Sequence, residues 1–137
     1  RAQLTALIQR IREISGETGL PIPVFGHAGD GNLHPNILFD YKRSGEIARV
    51  EKAAGDILRA ALELGGTLSG EHGIGTLKRE FMKDAVGDVG LSVMRDLKNA
   101  LDPKGILNPQ KLFPQGDSDS HQGFLAALPT LDNITPG

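Results

Sequence analysis

The amino-acid sequence predicts an α+β fold in which an antiparallel β-sheet is packed by helices. Three observations carry that expectation. Apolar residues recur at helical spacing in two long stretches, Leu4 to Ile14 and Ile47 to Ala61. Two short runs rich in Ile, Val and Phe, residues 22–27 and 34–39, flank the reversal signal Asp30-Gly31. Ten of the 18 glycines of the 137-residue chain cluster at 26–31, 65–75 and 87–90, between the segments that read as regular structure. Glycine placed this way serves turns with positive φ or close backbone approach to a ligand.

In chain order, Leu4, Leu7, Ile8, Ile11 and Ile14 form the stripe of a first helix, expected to stop at Gly16 and Gly19. Pro21 and Pro23 then require extended backbone. Residues 22–27 (IPVFGH) and 34–39 (HPNILF) read as strands. Residues 44–64 give the strongest helical pattern. Ser44 is its expected N-cap, Ile47, Val50, Ala54, Ile57, Leu58 and Ala61 its buried face, and Gly65 its stop. TLSGEHGIG, residues 67–75, is a short extended piece entering a glycine loop. Two further helices are expected at 76–85 and 89–101, the second ended by Asp102-Pro103, with GILNPQKLFP as an irregular connector. Residues 1–114 thus form one structured unit, and 115–137 a loosely packed polar tail in which His121 has no assigned role. The first helix begins at residue 1 without a lead-in, so a longer parent polypeptide is expected.

Composition excludes several classes of function. No apolar run approaches the ~20 residues of a transmembrane helix, and the N-terminus RAQLTALIQRIREIS is a charged helical pattern without a cleavage site. A net charge of -2, from 15 basic and 17 acidic side chains, leaves no electrostatic footprint for nucleic acid. Five Phe and one Tyr are too few for a base-stacking platform. The lack of cysteine excludes disulfides, thiolate ligands and Cys nucleophiles, and fits a cytoplasmic protein.

The chemistry concentrates in GHAGDGNLHPN, residues 26–36, which holds two of the chain's four histidines. On one continuous strand His27 and His34 would face opposite ways, because side chains alternate. A reversal at Asp30-Gly31 brings both imidazoles to one side, and Asn36, two residues after His34, shares its face. Two imidazoles and one carboxylate make a site for zinc or a similar divalent ion. The candidate carboxylate is Glu71 in SGEHGIG. Asp30 is the rival, although an Asp in a tight turn usually binds its own backbone amides. Glu71 and His72 are neighbours, so on extended backbone they are expected to diverge, one toward the ion and the other toward a substrate. Dinucleotide and P-loop readings fail: Gly73-Ile74-Gly75 lacks the third glycine, and Thr76-Leu77 stands where a P-loop needs Lys-Ser/Thr.

Three blocks in this order, GHAGDGNLHPN, GGTLSGEHGIGTLKREFM and LDPKGILNPQKLF, closely resemble the C-terminal part of FAD-linked 2-hydroxy acid dehydrogenases and oxidases. That group includes the catalytic subunit of glycolate oxidase, D-lactate dehydrogenases and D-2-hydroxyglutarate dehydrogenase, within the vanillyl-alcohol oxidase superfamily. The resemblance covers about residues 1–114 and implies a partial ferredoxin-like cap domain with its closing segment. It also implies that FAD is held mainly by an N-terminal domain this chain lacks, so activity belongs to the parent and not to this fragment.

Residue by residue, the resemblance implies that His27, His34 and Glu71 bind a divalent metal, that His72 is the catalytic base, and that Asn36 contacts substrate. It places Asn108 near the flavin, although Gln110 stands where the block usually has glycine, so the backbone there is expected to run differently. The implied reaction is oxidation of a small 2-hydroxy acid, of glycolate or D-lactate type, to the 2-oxo acid. Implied partners are the substrate, the missing FAD-binding domain and iron–sulfur or other electron-transfer subunits, through which a cytoplasmic protein would meet a membrane peripherally. Two rivals stand beside this reading: a small module with a structural His2Glu metal site and no redox activity, and a zinc hydrolase using Glu71 or His72 as base. The hydrolase fits least, since no third histidine or HExxH helix appears.

Overall fold

Helix α1, Leu4–Thr18, buries Ile11 and Ile14 and ends at Gly19, whose left-handed φ of +66° suits glycine. Gly16 does not stop it, contrary to the sequence expectation. A mid-helix glycine costs only about 1 kcal/mol. The next turn offsets that cost by burying Thr18, whose hydroxyl donates to the Ile14 carbonyl at 2.7 Å. The computed structural model describes residues 2–115; His121 and nearly all of the expected tail lie outside them.

Strands β1, Val24–His27, and β2, Asn32–Pro35, form an antiparallel hairpin in the register Val24↔Pro35, Phe25↔His34, Gly26↔Leu33 and His27↔Asn32. Both strands are shorter than expected, and β2 begins two residues early. The prolines explain the ends. The amides of Asn36 and Leu38 still donate to the carbonyls of Pro23 and Pro21, at 2.9 and 3.0 Å. Pro21 and Pro23 have no N–H to return, so the ladder continues on one side only.

Helix α2, Glu46–Glu63, starts after Gly45 with no side-chain cap, so Ser44 does not play the expected role. Buried Glu46 organises this end instead: its carboxylate accepts from the Asp40 amide at 2.6 Å and from Arg49 at 3.0 Å. Val50, Ala53 and Ile57 pack with Ile11, Ile14, Leu20 and Ile22 in a first core cluster, against which Val24 and Ile37 also lie. The buried face is therefore rotated from the expected one. Ala53 and Ala60 are buried and Ile47 is exposed, while Leu58 turns toward a second cluster.

That second cluster centres on Leu68, Met82 and Leu91. A 3₁₀ turn, Arg79–Phe81, leads into α3, Met82–Leu101. The two helices expected at 76–85 and 89–101 are thus one run interrupted at Gly87, where φ is +69° and ψ 174°. After α3 the connector is held at both ends. Buried Asp102 accepts from the Ile106 and Leu107 amides at 3.1 and 2.9 Å. Further on, the Leu112 amide donates to the Gly75 carbonyl at 3.0 Å.

Candidate functional site

Alternation along the hairpin puts Phe25 and His27 of β1 on the same face as Asn32 and His34 of β2. The opposite face carries Val24 to the first core cluster. The reversal is closed by the Asp30 and Gly31 amides, which donate to the His27 carbonyl at 3.0 and 3.1 Å. Gly31 supplies the φ of +77° that the turn needs. The expectation for the two imidazoles holds: their ring centroids lie 5.5 Å apart, edge to face. Gly26 is required between them, because a Cβ there would overlap the Asn32 carbonyl oxygen across the hairpin.

The third element is the loop after buried Leu68. Ser69 closes it, its hydroxyl oxygen accepting from the Gly73 amide at 2.7 Å. Gly73, at φ +79°, completes the bend. Gly70 passes so close to the Asn32 side chain that a Cβ would collide with it, which seats the loop directly on the hairpin. Glu71 then reaches both histidines: its Oε1 lies 3.3 Å from His34 Nε2, and its Oε2 lies 3.9 Å from His27 Nε2.

His27, His34 and Glu71 each offer a ligand atom within 4.8 Å of the others. Ligands at about 2.0–2.2 Å around a tetrahedral ion stand roughly 3.4 Å apart. The His34–Glu71 distance already matches, and the His27–Glu71 distance of 3.9 Å is somewhat longer. The donor set of two imidazole nitrogens and a carboxylate oxygen therefore fits a divalent metal of the zinc type. Asp30 is not a member of the group.

His72 corrects one expectation. It does not diverge from Glu71; its Nε2 is 3.4 Å from Glu71 Oε1, and its ring stacks on His34 with centroids 5.0 Å apart. The segment is a closed glycine turn and not extended backbone, so neighbouring side chains converge. His72 is nevertheless outside the three-ligand group and mostly exposed, while His34 is the most buried of the three histidines.

Phe25, Gly26, His27, His34, Asn36, Glu71 and His72 line one open groove of about 440 Å³. Asn36 is thus beside the histidines, as expected. Asn108 is not among the lining residues; it lies in the connector, at φ +47°. Gln110 takes φ +62°, the left-handed conformation that glycine favours, and its carbonyl accepts from Arg79 at 2.8 Å. The groove has no Lys or Arg to meet a pyrophosphate, so these seven residues do not by themselves fit FAD. Sequence reasoning missed Phe25 and Ser69. Phe25 carries a period-two signal, two residues before His27, and Ser69 a turn signal, opening a loop with glycine four residues on.

No helix among the described residues is long and apolar enough to cross a membrane. The family model described as "FAD linked oxidases, C-terminal domain" matches residues 1–112. Glycolate oxidase subunit GlcD of Bacillus subtilis is 42% identical over 113 residues, covering 82% of this chain and 24% of the relative. The protein of the same name in Escherichia coli is 41% identical over 114 residues, covering 83% and 23%. The mitochondrial D-lactate dehydrogenase [cytochrome] of Kluyveromyces lactis is 39% identical over 116 residues, covering 85% and 19%. The chain spans about a quarter or less of the length of these curated relatives.

Proposed function

The chain belongs to the family of FAD-linked oxidase C-terminal domains, and from that premise we propose that it forms the substrate-binding part of a flavoprotein oxidising a small 2-hydroxy acid to the 2-oxo acid. The observation that carries this reading is the convergence of His27, His34 and Glu71, with His72 and Asn36 on the same groove. His27, His34 and Glu71 would hold a divalent metal, which would supply Lewis acidity and a template. FAD, held by the rest of the polypeptide, would supply the redox chemistry.

The remaining residues act on the substrate directly. His72, exposed in the groove, takes the hydroxyl proton on a ring nitrogen as the general base. Its stacking on His34 fixes the ring's plane beside the ligand cluster. Asn36 offers an amide that donates to or accepts from the substrate's oxygens. Asn108, in the connector after α3, would be the contact to the flavin. Relatives named as a subunit of glycolate oxidase support assembly with further subunits.

The test is anaerobic addition of glycolate or D-lactate to the flavin-loaded full-length polypeptide. Bleaching of the flavin absorbance supports the proposal; a flavin that stays oxidised with every 2-hydroxy acid contradicts it.

A further inference from the structure

Of the seven residues that line the groove, Phe25 alone has a large apolar side chain. Its place is set by β1, where it pairs with His34 across the hairpin and shares the face of His27. The Phe25 and His34 ring centroids are 5.5 Å apart at 34°, yet Phe25 remains 59% exposed. Packing among the described residues does not account for it, because the hairpin reaches the core through Val24 on the opposite face. An aromatic ring therefore stands in the open beside three histidines, a carboxylate and an amide.

A 2-hydroxy acid has one polar end and one apolar part. Its carboxylate and hydroxyl match the His and Asn groups and the metal that Glu71 would help hold, which leaves the carbon chain attached at C2 to find its own wall. The groove's volume of about 440 Å³ leaves room for that chain, since a liquid water takes only ~30 Å³. Resting on the functional reading above, we propose that Phe25 forms an apolar subsite for the C2 alkyl chain, so that the site takes 2-hydroxy acids with chains of several carbons as well as the shortest ones. A methylene in an apolar pocket changes discrimination by about 10–200-fold, so losing this wall is readable in a substrate ratio.

The experiment compares kcat/KM for 2-hydroxypentanoate and glycolate in the flavin-loaded full-length polypeptide, alongside calorimetric affinities for the corresponding 2-oxo acids. Phe25→Ala should lower the long-to-short ratio about tenfold or more in both measurements. Phe25→Leu, which keeps the apolar wall without the ring, should hold both ratios within about threefold of wild type. An unchanged ratio in Phe25→Ala overturns the proposal. So does an equal fall in Phe25→Leu, which would assign the effect to stacking on His34. If the wild type oxidises 2-hydroxy acids and the ratios do not respond, only this inference fails. If it oxidises none, the functional reading fails and this inference falls with it.

Discussion

His34 Nε2 lies 3.3 Å from Glu71 Oε1, although the whole of α2 separates the two residues in the chain. Two elements built for different local reasons, a proline-edged hairpin and a glycine turn, meet at this contact. The roles that follow for Glu71 and His72 are separable by substitution. Glu71→Ala should lose metal, with activity falling as a consequence and partly recovering at high metal concentration. His72→Ala should leave metal content nearly unchanged and cut turnover about 10²–10⁴-fold, the usual contribution of a positioned base. Metal analysis and steady-state kinetics on the full-length enzyme check both. Loss of metal in His72→Ala with retention in Glu71→Ala would reverse the roles.

Ser69 holds the loop from which both residues project, through its contact with the Gly73 amide. Ser69→Ala should weaken metal affinity by about tenfold, at the low end of what outer-shell groups contribute. The fold should stay intact, because Leu68 still anchors the loop in the second cluster. A competition titration with a chromogenic chelator measures it. Unchanged affinity would mean that the loop is held by its glycines and Leu68 alone.

Gly26 admits no side chain, because the blocking atom is backbone and not a movable side-chain end. Gly26→Ala should lower stability by about 1–3 kcal/mol, as overpacking typically does. It should also spread His27 from His34, so metal binding falls with stability. Urea unfolding and metal titration on the same variant test the link; a stable variant with normal metal binding would contradict it.

The sequence shows the site better than it shows the element ends. The common face of His27 and His34 follows from alternation plus the Asp30-Gly31 reversal, and Glu71 from its glycine frame. The convergence of Glu71 and His72 was hidden because it depends on the Ser69–Gly73 hydrogen bond closing the turn. Phe25 reads as a strand residue, and nothing local shows that its face of the hairpin looks away from the core. The strand ends were misplaced by the one-sided ladder at Pro21 and Pro23, and Ser44 was displaced as cap by buried Glu46. In these last cases a tertiary contact outweighs a local preference.

Asp102 ties the connector to the end of α3. The Lys98 ammonium first, and then the Leu107 and Ile106 amides, hold its carboxyl below the ordinary value of 3.8. A carboxyl lowered on folding contributes stability that is present above the unfolded pKa and lost as pH falls through the lower folded value. Asp102→Asn should therefore destabilise the protein at pH 7, and the difference from wild type should shrink below pH 3.8. Thermal unfolding at several pH values measures it. A difference that is the same at acid and neutral pH would leave the charge without a role.

In the proposed function, His27, His34 and Glu71 hold one divalent metal. Equilibrium dialysis of the full-length polypeptide against Zn²⁺, followed by elemental analysis, tests it most directly, with His34→Ala as the comparison because His34 is the most buried histidine of the site. One tightly held equivalent per wild-type chain is expected, with its loss in a folded His34→Ala variant. Equal zinc in the two proteins, or none in the wild type, would contradict it.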